Sequence, residues 1–399
     1  MRIFEYIKEE NERTAKLLGF TLLKQTSDYM TSERLQTFCG GIITTQRTID
    51  PYTGNTNKNI KFLGKSIIKR NEENNYRIYY IFNKPIKKHS LIKEFKDKYF
   101  KYFDKKHDDI YILRANSGEV YLILTYLINE LIKRNNSKHP LLVATQEYHV
   151  DMIKLICPNI PFVYIKKLML KTAEDVFSID NFRFFYLFSS LHFKQVELDI
   201  KQNDLGKCHY FKSILNRLNI PISDINMNKI QIDSQKEQDC LNKMKDHGLN
   251  IENFVFLAPE AKSCKLYDED FWCELIKRYQ QKGFDVFVNI VDNEIKLPSA
   301  TNYSSEYLTY TEAFILAKHS KKIVSLRSGF TEFLIQTNRP IDVLYTKFRS
   351  RHFFDELDST HILSGFSLME LPYINKTNIR EFNMFEESPK ECIEKIIND

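Results

Sequence analysis

The sequence contains no G-x-x-x-x-G-K-[ST], no G-x-G-x-x-G, no H-E-x-x-H and no G-x-S-x-G. Those absences count against a P-loop NTPase, a simple dinucleotide-dependent dehydrogenase, a zincin and an α/β-hydrolase. There is no C-x-x-C pair, and the cysteine count is an odd seven. A disulfide framework or a structural zinc site is therefore not expected, and a reducing compartment is. The ten histidines show no ligand spacing, so His192, His209 and His319 read as packing or surface residues. The short acidic runs at 108–109 and 268–270 read as solvent-facing or helix-capping acids. No metal site and no cofactor are expected. The single tryptophan, Trp272, reads as core.

Long apolar runs are also missing. "VYLILTYLI" and "FRFFYLFSSLHF" fall short of the ~20 residues that span a bilayer. The start, "MRIFEYIKEENERTAKLL", is charged throughout and lacks the apolar core of a signal peptide. The expected location is cytoplasmic, either soluble or peripheral on the inner membrane.

What is present is a soluble globular composition: 43% apolar and 28% charged residues over 399 positions, with a net charge of +6. That length allows two or three domains. The mild positive charge suits a phosphorylated ligand or an anionic membrane surface and requires neither; no feature points to nucleic acid.

The first hundred residues carry a degenerate repeat: "KLLGFTLLKQ" (16–25), "TFCGGIITTQ" (37–46), "KFLGKSIIKR" (61–70) and "YIFNKPIKKH" (80–89). Each has apolar residues on both sides of a central Gly or Asn, which supplies a turn between short strands. The expectation is small hairpins or extended pieces, preceded by a helix at about 3–18. The repeats either dock on a membrane or partner, with Lys24, Lys69, Arg70, Lys87 and Lys88 beside the apolar residues, or cover the main fold. "FKDKYFKYFDKKHDD" (95–109) reads as a basic helical linker with a solvated face.

From Ile110 strands and helices alternate. "IYILRA", "PLLVATQ" and "FVYIK" are strands separated by the helices "GEVYLILTYLINELIKRN" and "EYHVDMIKLI". An aromatic helical region follows at about 180–220. After a polar stretch the alternation restarts with "FVFLAPEA", "FDVFVNIV", "KKIVSLRSG" and "IDVLYT" as strands. This pattern predicts an α/β chain with two parallel-sheet halves and a ligand cleft between them. The expected division is 1–107 as an extension with repeats, 108–245 as the first α/β domain and 246–399 as the second.

Three strand-to-helix loops could carry chemistry. "RANSGEV" (114–120) offers Gly118 for a tight turn and Glu119 at the helix start, with Arg114 and Asn116 ahead of it. Glu119 is either a general base for a hydroxyl or an acid that interacts with the helix dipole. "APEAKSCKLYDEDFW" (258–272) places Lys262, Ser263 and Lys265 before a helix, as a diphosphate cradle or as an ordinary polar loop. "LRSGFT" (326–331) places Arg327, Ser328, Gly329 and Thr331 at a third turn. There Gly329 lets an anion approach the backbone, or it simply makes a turn while Arg327 faces water. The two basic loops fall in the same half, which points to a nucleotide-diphosphate site. His209, in "KCHYFKSI", is grouped with Arg114, Asn116 and Gly118 on the acceptor side.

The ordered set of these loops resembles the two-domain bacterial heptosyltransferases of lipopolysaccharide synthesis and the related capsule and surface-glycan transferases. "SGEVYLILTYL" matches the family's first glycine and acid, with Glu119 where aspartate is usual. "FVFLAPEAKSCKLYDEDFWCELIKRYQQKGFDVFVNI" matches its second-half start, with Lys265 as the counterpart of its lysine. "IVSLRSGFTEFL" matches its "SG" turn, with Arg327 where aspartate is usual. The resemblance covers roughly 110–375 and does not extend to the repeats. It implies a GT-B arrangement of two Rossmann-like domains and an inverting transfer from a nucleotide-sugar donor to a glycan or lipid-linked glycan; because no acidic cluster has ligand spacing, the transfer is expected to be metal-independent. The donor would sit among Lys262, Ser263, Lys265, Arg327, Ser328, Gly329 and Thr331, and Glu119 would act as base. Transfer of another phosphorylated group, or a non-catalytic nucleotide-sugar-binding or scaffold role, remains open.

Overall fold

The computed structural model describes the chain except residues 1–3, 9–11, 18–19, 29–32, 50–55, 74, 104–105, 114–115, 167, 169–175, 177–182, 188–208, 262–263, 291–294, 296, 298–307, 348–358 and 399. Two compact units result: Met1–Ile110 with Lys167–Phe185, and Tyr111–Lys166 with Tyr186–Asp399.

The first unit is built on one nine-stranded sheet: β1 Phe4–Lys8, β2 Glu12–Leu17, β3 Phe20–Asp28, β4 Glu33–Phe38, β5 Ile43–Ile49, β6 Thr56–Phe62, β7 Lys65–Glu73, β8 Tyr76–Ile81 and β9 Lys84–Ser90. The strands pair in chain order, each antiparallel to the next. The expected hairpins are thus parts of one meander, and the helix expected at 3–18 is replaced by β1 and β2. The four repeat units lie across the β2–β3, β4–β5, β6–β7 and β8–β9 turns. No described residue of β4–β9 is fully buried, so both faces of those strands keep partial contact with solvent. The helix Leu91–Tyr99 follows, capped by the Ser90 side chain. Its Phe95 and the following Phe103 are buried, so the basic segment has an apolar inner face as well as a solvated one.

The second unit contains the α/β repeats. The first α/β sheet has the order β12-β11-β10-β13, formed by β10 Asp109–Leu113, β11 Pro140–Ala144, β12 Phe162–Tyr164 and β13 Arg183–Leu187, of which β10 and β13 each begin in residues counted with the first unit. β10 is wholly buried, as the apolar run Ile110–Leu113 within it requires. Asp109, expected at the surface, is 0% exposed and pairs with Arg183 at 2.6 Å. β13 also occupies the start of the segment expected to be helical. The helix Ser117–Leu122 continues through a π-helical turn, Ile123–Leu127, into the helix Ile128–Arg134.

The second sheet has the order β15-β14-β16-β17-β18, with β14 Phe254–Ala258, β15 Asp285–Val288, β16 Lys322–Leu326, β17 Ile341–Tyr345 and β18 Ile379–Asn383. All four pairings are parallel. The helix Glu269–Gln281 buries Trp272 in the core against this sheet and ends before Gly283, whose φ of 83° suits the left-handed position that terminates a helix. Because β14 lies between β15 and β16, strand order reverses there, and the loops after β14 and β16 leave neighbouring strand ends.

Candidate functional site

Two short helices meet end to end at the site. The helix Ser117–Leu122 begins after β10, and the helix Gly329–Leu334 begins after β16. A Cβ on Gly329 would lie 2.3 Å from the Gly118 nitrogen, and one on Gly118 would lie 2.8 Å from the Gly329 Cα. Only glycine fits at either position. The juxtaposition brings two positive helix ends together, and each first turn carries a carboxylate, Glu119 or Glu332, that offsets them.

Glu332 is buried and holds the centre of a polar network. Its Oε1 accepts hydrogen bonds from Arg327 Nη2, at 2.5 Å, and from the Tyr210 hydroxyl. Arg327 also donates from Nε to the Phe366 carbonyl at 3.0 Å and from Nη1 to the Ser328 carbonyl at 2.7 Å. Arg327 is only 5% exposed. Its burial disfavours the cation, but Glu332 and its other neighbours hold the guanidinium firmly charged. Burial, and then Glu332, raises Tyr210. The second oxygen of Glu332, Oε2, is buried and accepts no hydrogen bond among the described residues.

Glu119 is half-buried. Burial of its carboxyl and the nearby negative charge of Glu332 push it up to about 7, against the opposing pull of Arg327 and a hydrogen bond from the Asn116 side chain. A carboxyl poised there can give up or accept a proton near neutrality. A run of three half-buried aromatic rings begins beside it at Tyr148. Tyr148, pushed up to about 12 by burial and by Glu119, stacks on Tyr310 at 5.9 Å, and Tyr310 meets Phe330 edge-on at 5.6 Å.

The structure thus joins Asn116, Gly118 and Glu119 to Arg327, Ser328, Gly329 and Thr331. Their local roles differ from a bare anion cradle. The Ser328 side chain accepts from the Thr331 amide at 3.4 Å, and Thr331 Oγ1 accepts from the Ser328 amide at 3.1 Å, so both hydroxyls cap the helix. Arg327 neither faces water nor points at an open loop; its charge is engaged by Glu332. His209 is 1% exposed, and its Nδ1 accepts from the Phe211 amide at 3.3 Å. Burial and then Arg327 push His209 down to about 3, so it is neutral at physiological pH. Lys265 is exposed, with its amide bonded to the Lys347 carbonyl at 2.7 Å and its carbonyl to Thr346 Oγ1 at 2.7 Å. That ties the loop after β14 to the carboxyl end of β17. Arg114, Lys262 and Ser263 lie outside the described residues. Among the described residues no group of three or more His, Cys, Asp or Glu is placed to hold a metal ion.

Glu332, Tyr210, Tyr148 and Tyr310 were not singled out from sequence. Glu332 had a local signal, an acid in the first turn of the "SGFTEFL" helix, whereas the Tyr210 contact spans 122 positions and leaves no local trace.

No protein-family model and no curated protein matches the chain. Among solved structures it is similar to a glycosyl transferase family 9 protein from Veillonella parvula, at 12% identity over 73% of this chain and 90% of that one, with a TM-score of 0.47. It is similar to the ADP-heptose lps heptosyltransferase II of E. coli at 15% identity, over 72% and 97% of the two chains, with a TM-score of 0.48. For the E. coli heptosyltransferase WaaC with ADP the values are 11%, 73%, 98% and 0.42.

Proposed function

We propose that the chain is a glycosyltransferase that moves a sugar from a nucleotide-diphosphate donor to a hydroxyl of a bacterial surface glycan. The contact between Gly118 and Gly329 carries this reading. It puts a carboxyl poised near 7 beside the turn after β16, next to the sheet's point of strand reversal. In open parallel sheets ligands bind outside the carboxyl ends of the strands at such a point.

In this reading 246–399 binds the donor and 108–245 the acceptor. The diphosphate lies over the ends of β14 and β16, where Lys262, Ser263 and Lys265 supply charge and a hydroxyl. The Ser328-Gly329 turn supplies backbone. Arg327 acts at one remove, by holding Glu332. Glu119 takes the proton of the acceptor hydroxyl as that oxygen bonds the anomeric carbon. That oxygen attacks from the face opposite the diphosphate, which leaves with the electron pair of the bond it loses, so a single displacement inverts the anomeric carbon. Arg114 and Asn116 stand on the acceptor side, and Tyr148, Tyr310 and Phe330 offer stacking faces. Charge from lysine replaces a metal at the leaving group. Another phosphorylated group carried on a nucleotide would suit the same loops, and donor screening separates the two.

A second reading, a non-catalytic nucleotide-sugar-binding or scaffold protein, is favoured by two observations. Arg327 is already engaged by Glu332, and the two touching glycines crowd the approach to Ser328. Thermal shift against nucleoside diphosphates and nucleotide sugars, followed by assay of sugar transfer, separates the readings. A ligand at ~100 times its dissociation constant adds about 2.7 kcal/mol. Binding with transfer supports the enzyme, binding without transfer supports the scaffold, and no shift with any donor rejects both. Turnover lost to a chelator and restored by magnesium or manganese would overturn the metal-independent mechanism.

A further inference from the structure

The four repeat turns all fall at one end of the meander, because alternate turns of an up-and-down sheet share an edge. Each presents a bulky apolar residue. Phe20, Ile42, Leu63 and Phe82 are 77%, 45%, 67% and 69% exposed. Neighbouring strand ends extend the apolar surface: Ile43 and Phe62, paired across β5 and β6, are 40% and 45% exposed, and Ile81 is 41% exposed. With strands ~4.8 Å apart, four tips spaced two strands apart form a row about 30 Å long.

Two of these tips are built against backbone preference. The β6–β7 turn is Leu63-Gly64, with φ of 46° and 77°, and the β8–β9 turn is Phe82-Asn83, with φ of 46° and 61°. Two-residue turns with positive φ at both positions favour Asn-Gly. Leucine and phenylalanine in the left-handed region are unfavourable. Neither side chain is buried, so packing within this chain does not offset that cost. A strained, exposed apolar residue repeated at adjacent turns points to an external partner.

Charge narrows the partner. Residues 1–110 carry 22 Lys and Arg against 14 Asp and Glu, a surplus of eight in a chain whose total is +6. Within the strands, the half nearest the tips, midpoints included, holds Lys16, Lys24, Lys61, Lys65, Lys69, Lys84 and Lys87, with Glu5 as its acid. The opposite half holds the acids Glu12, Asp28, Glu33, Glu72 and Glu73 interleaved with Lys8, Arg13, Arg34, Arg47, Lys58, Arg70, Arg77 and Lys88, so the tip half has the larger uncompensated positive charge. A second copy of the chain would set these lysines against one another. A soluble polyanion would satisfy the lysines and leave Phe20, Leu63 and Phe82 in water. An anionic bilayer accepts both, with lysines at the headgroups and apolar tips in the interface.

We propose that the tip edge of the meander docks the protein on an anionic lipid surface. This does not depend on the transferase reading. The test uses the full chain and sedimentation with vesicles of phosphatidylglycerol or of phosphatidylcholine. The informative variants are Leu63→Asn and Phe82→Asn, singly and together, because asparagine suits both turns and the fold should be retained or stabilised. The protein should sediment with phosphatidylglycerol at least tenfold better than with phosphatidylcholine. The double variant should lose most of that binding while its melting temperature holds or rises. Lys61→Glu with Lys65→Glu should lose it as well, and raised salt should weaken it. Equal partition to both lipids, or undiminished binding by the double variant, would overturn the proposal. So would self-association on size exclusion that the double variant abolishes, in a protein that binds neither vesicle.

Discussion

The backbone of Gly118 lies directly against that of Gly329, so closely that neither position has space for a methyl group. Gly118→Ala would also drive its methyl to 2.7 Å from Glu332 Oε2. Because the obstructing atoms include backbone, relief requires the two helices to part. Each alanine variant is expected to cost about 1–3 kcal/mol, the usual range for overpacking, or more. Melting curves measure this, and an unchanged midpoint for Gly329→Ala would show that the helix ends are not in contact.

Arg327→Ala should act on stability before it acts on ligand. It leaves Glu332 buried without its cation, a loss worth about 3–5 kcal/mol for a buried pair. Arg327→Lys should not restore the protein, because one ammonium cannot serve the Glu332, Ser328 and Phe366 acceptors together. A stable Arg327→Ala protein that has lost only nucleotide affinity would instead place the guanidinium on the diphosphate.

Glu119→Gln should leave donor affinity nearly unchanged and lower turnover by about 10²–10⁴-fold, the usual worth of a positioned base. The rate should rise with pH through about 7 as the carboxyl ionises, and the variant should lose that limb. A variant with near-normal rate would remove Glu119 from the mechanism.

The same carboxyl predicts a stability slope. Its folded value is about 7 against an ordinary 4.5, so between those values the folded state binds more protons than the unfolded one. The stabilising contribution is complete below 4.5 and is lost as pH rises through about 7. Denaturant titrations across that window should show a fall in stability in the parent protein that is shallower in Glu119→Gln.

Much of the α/β framework was legible because buried parallel strands read as unbroken apolar runs, as in Phe254–Ala258, and because helices announce their starts, as Thr309 and Glu312 do through a capping box. The helix expected in the opening segment is instead two strands because its apolar residues are spaced irregularly among charges, a pattern that a strand and a helix share. β18, "IREFN", escaped notice because two buried residues in five give no periodic signal. The turns bearing Gly118 and Gly329 could be picked out locally. Their contact could not, nor could the pairing of Asp109 with Arg183, since each joins residues distant in the chain.

The strand order of the meander also bears on how the chain acquires its structure. Every strand from β1 to β9 pairs with its immediate successor, so each new hairpin closes only a short loop. By contrast, β10 belongs to a sheet that also needs β13, some seventy residues later, and β14 must wait for β16. Local pairing is fast and long-range parallel pairing slow, and chains emerge from the ribosome N-terminus first. The meander is therefore expected to form while the α/β region is still being synthesised, and its apolar tips would be exposed in the nascent chain before the site near Glu119 exists.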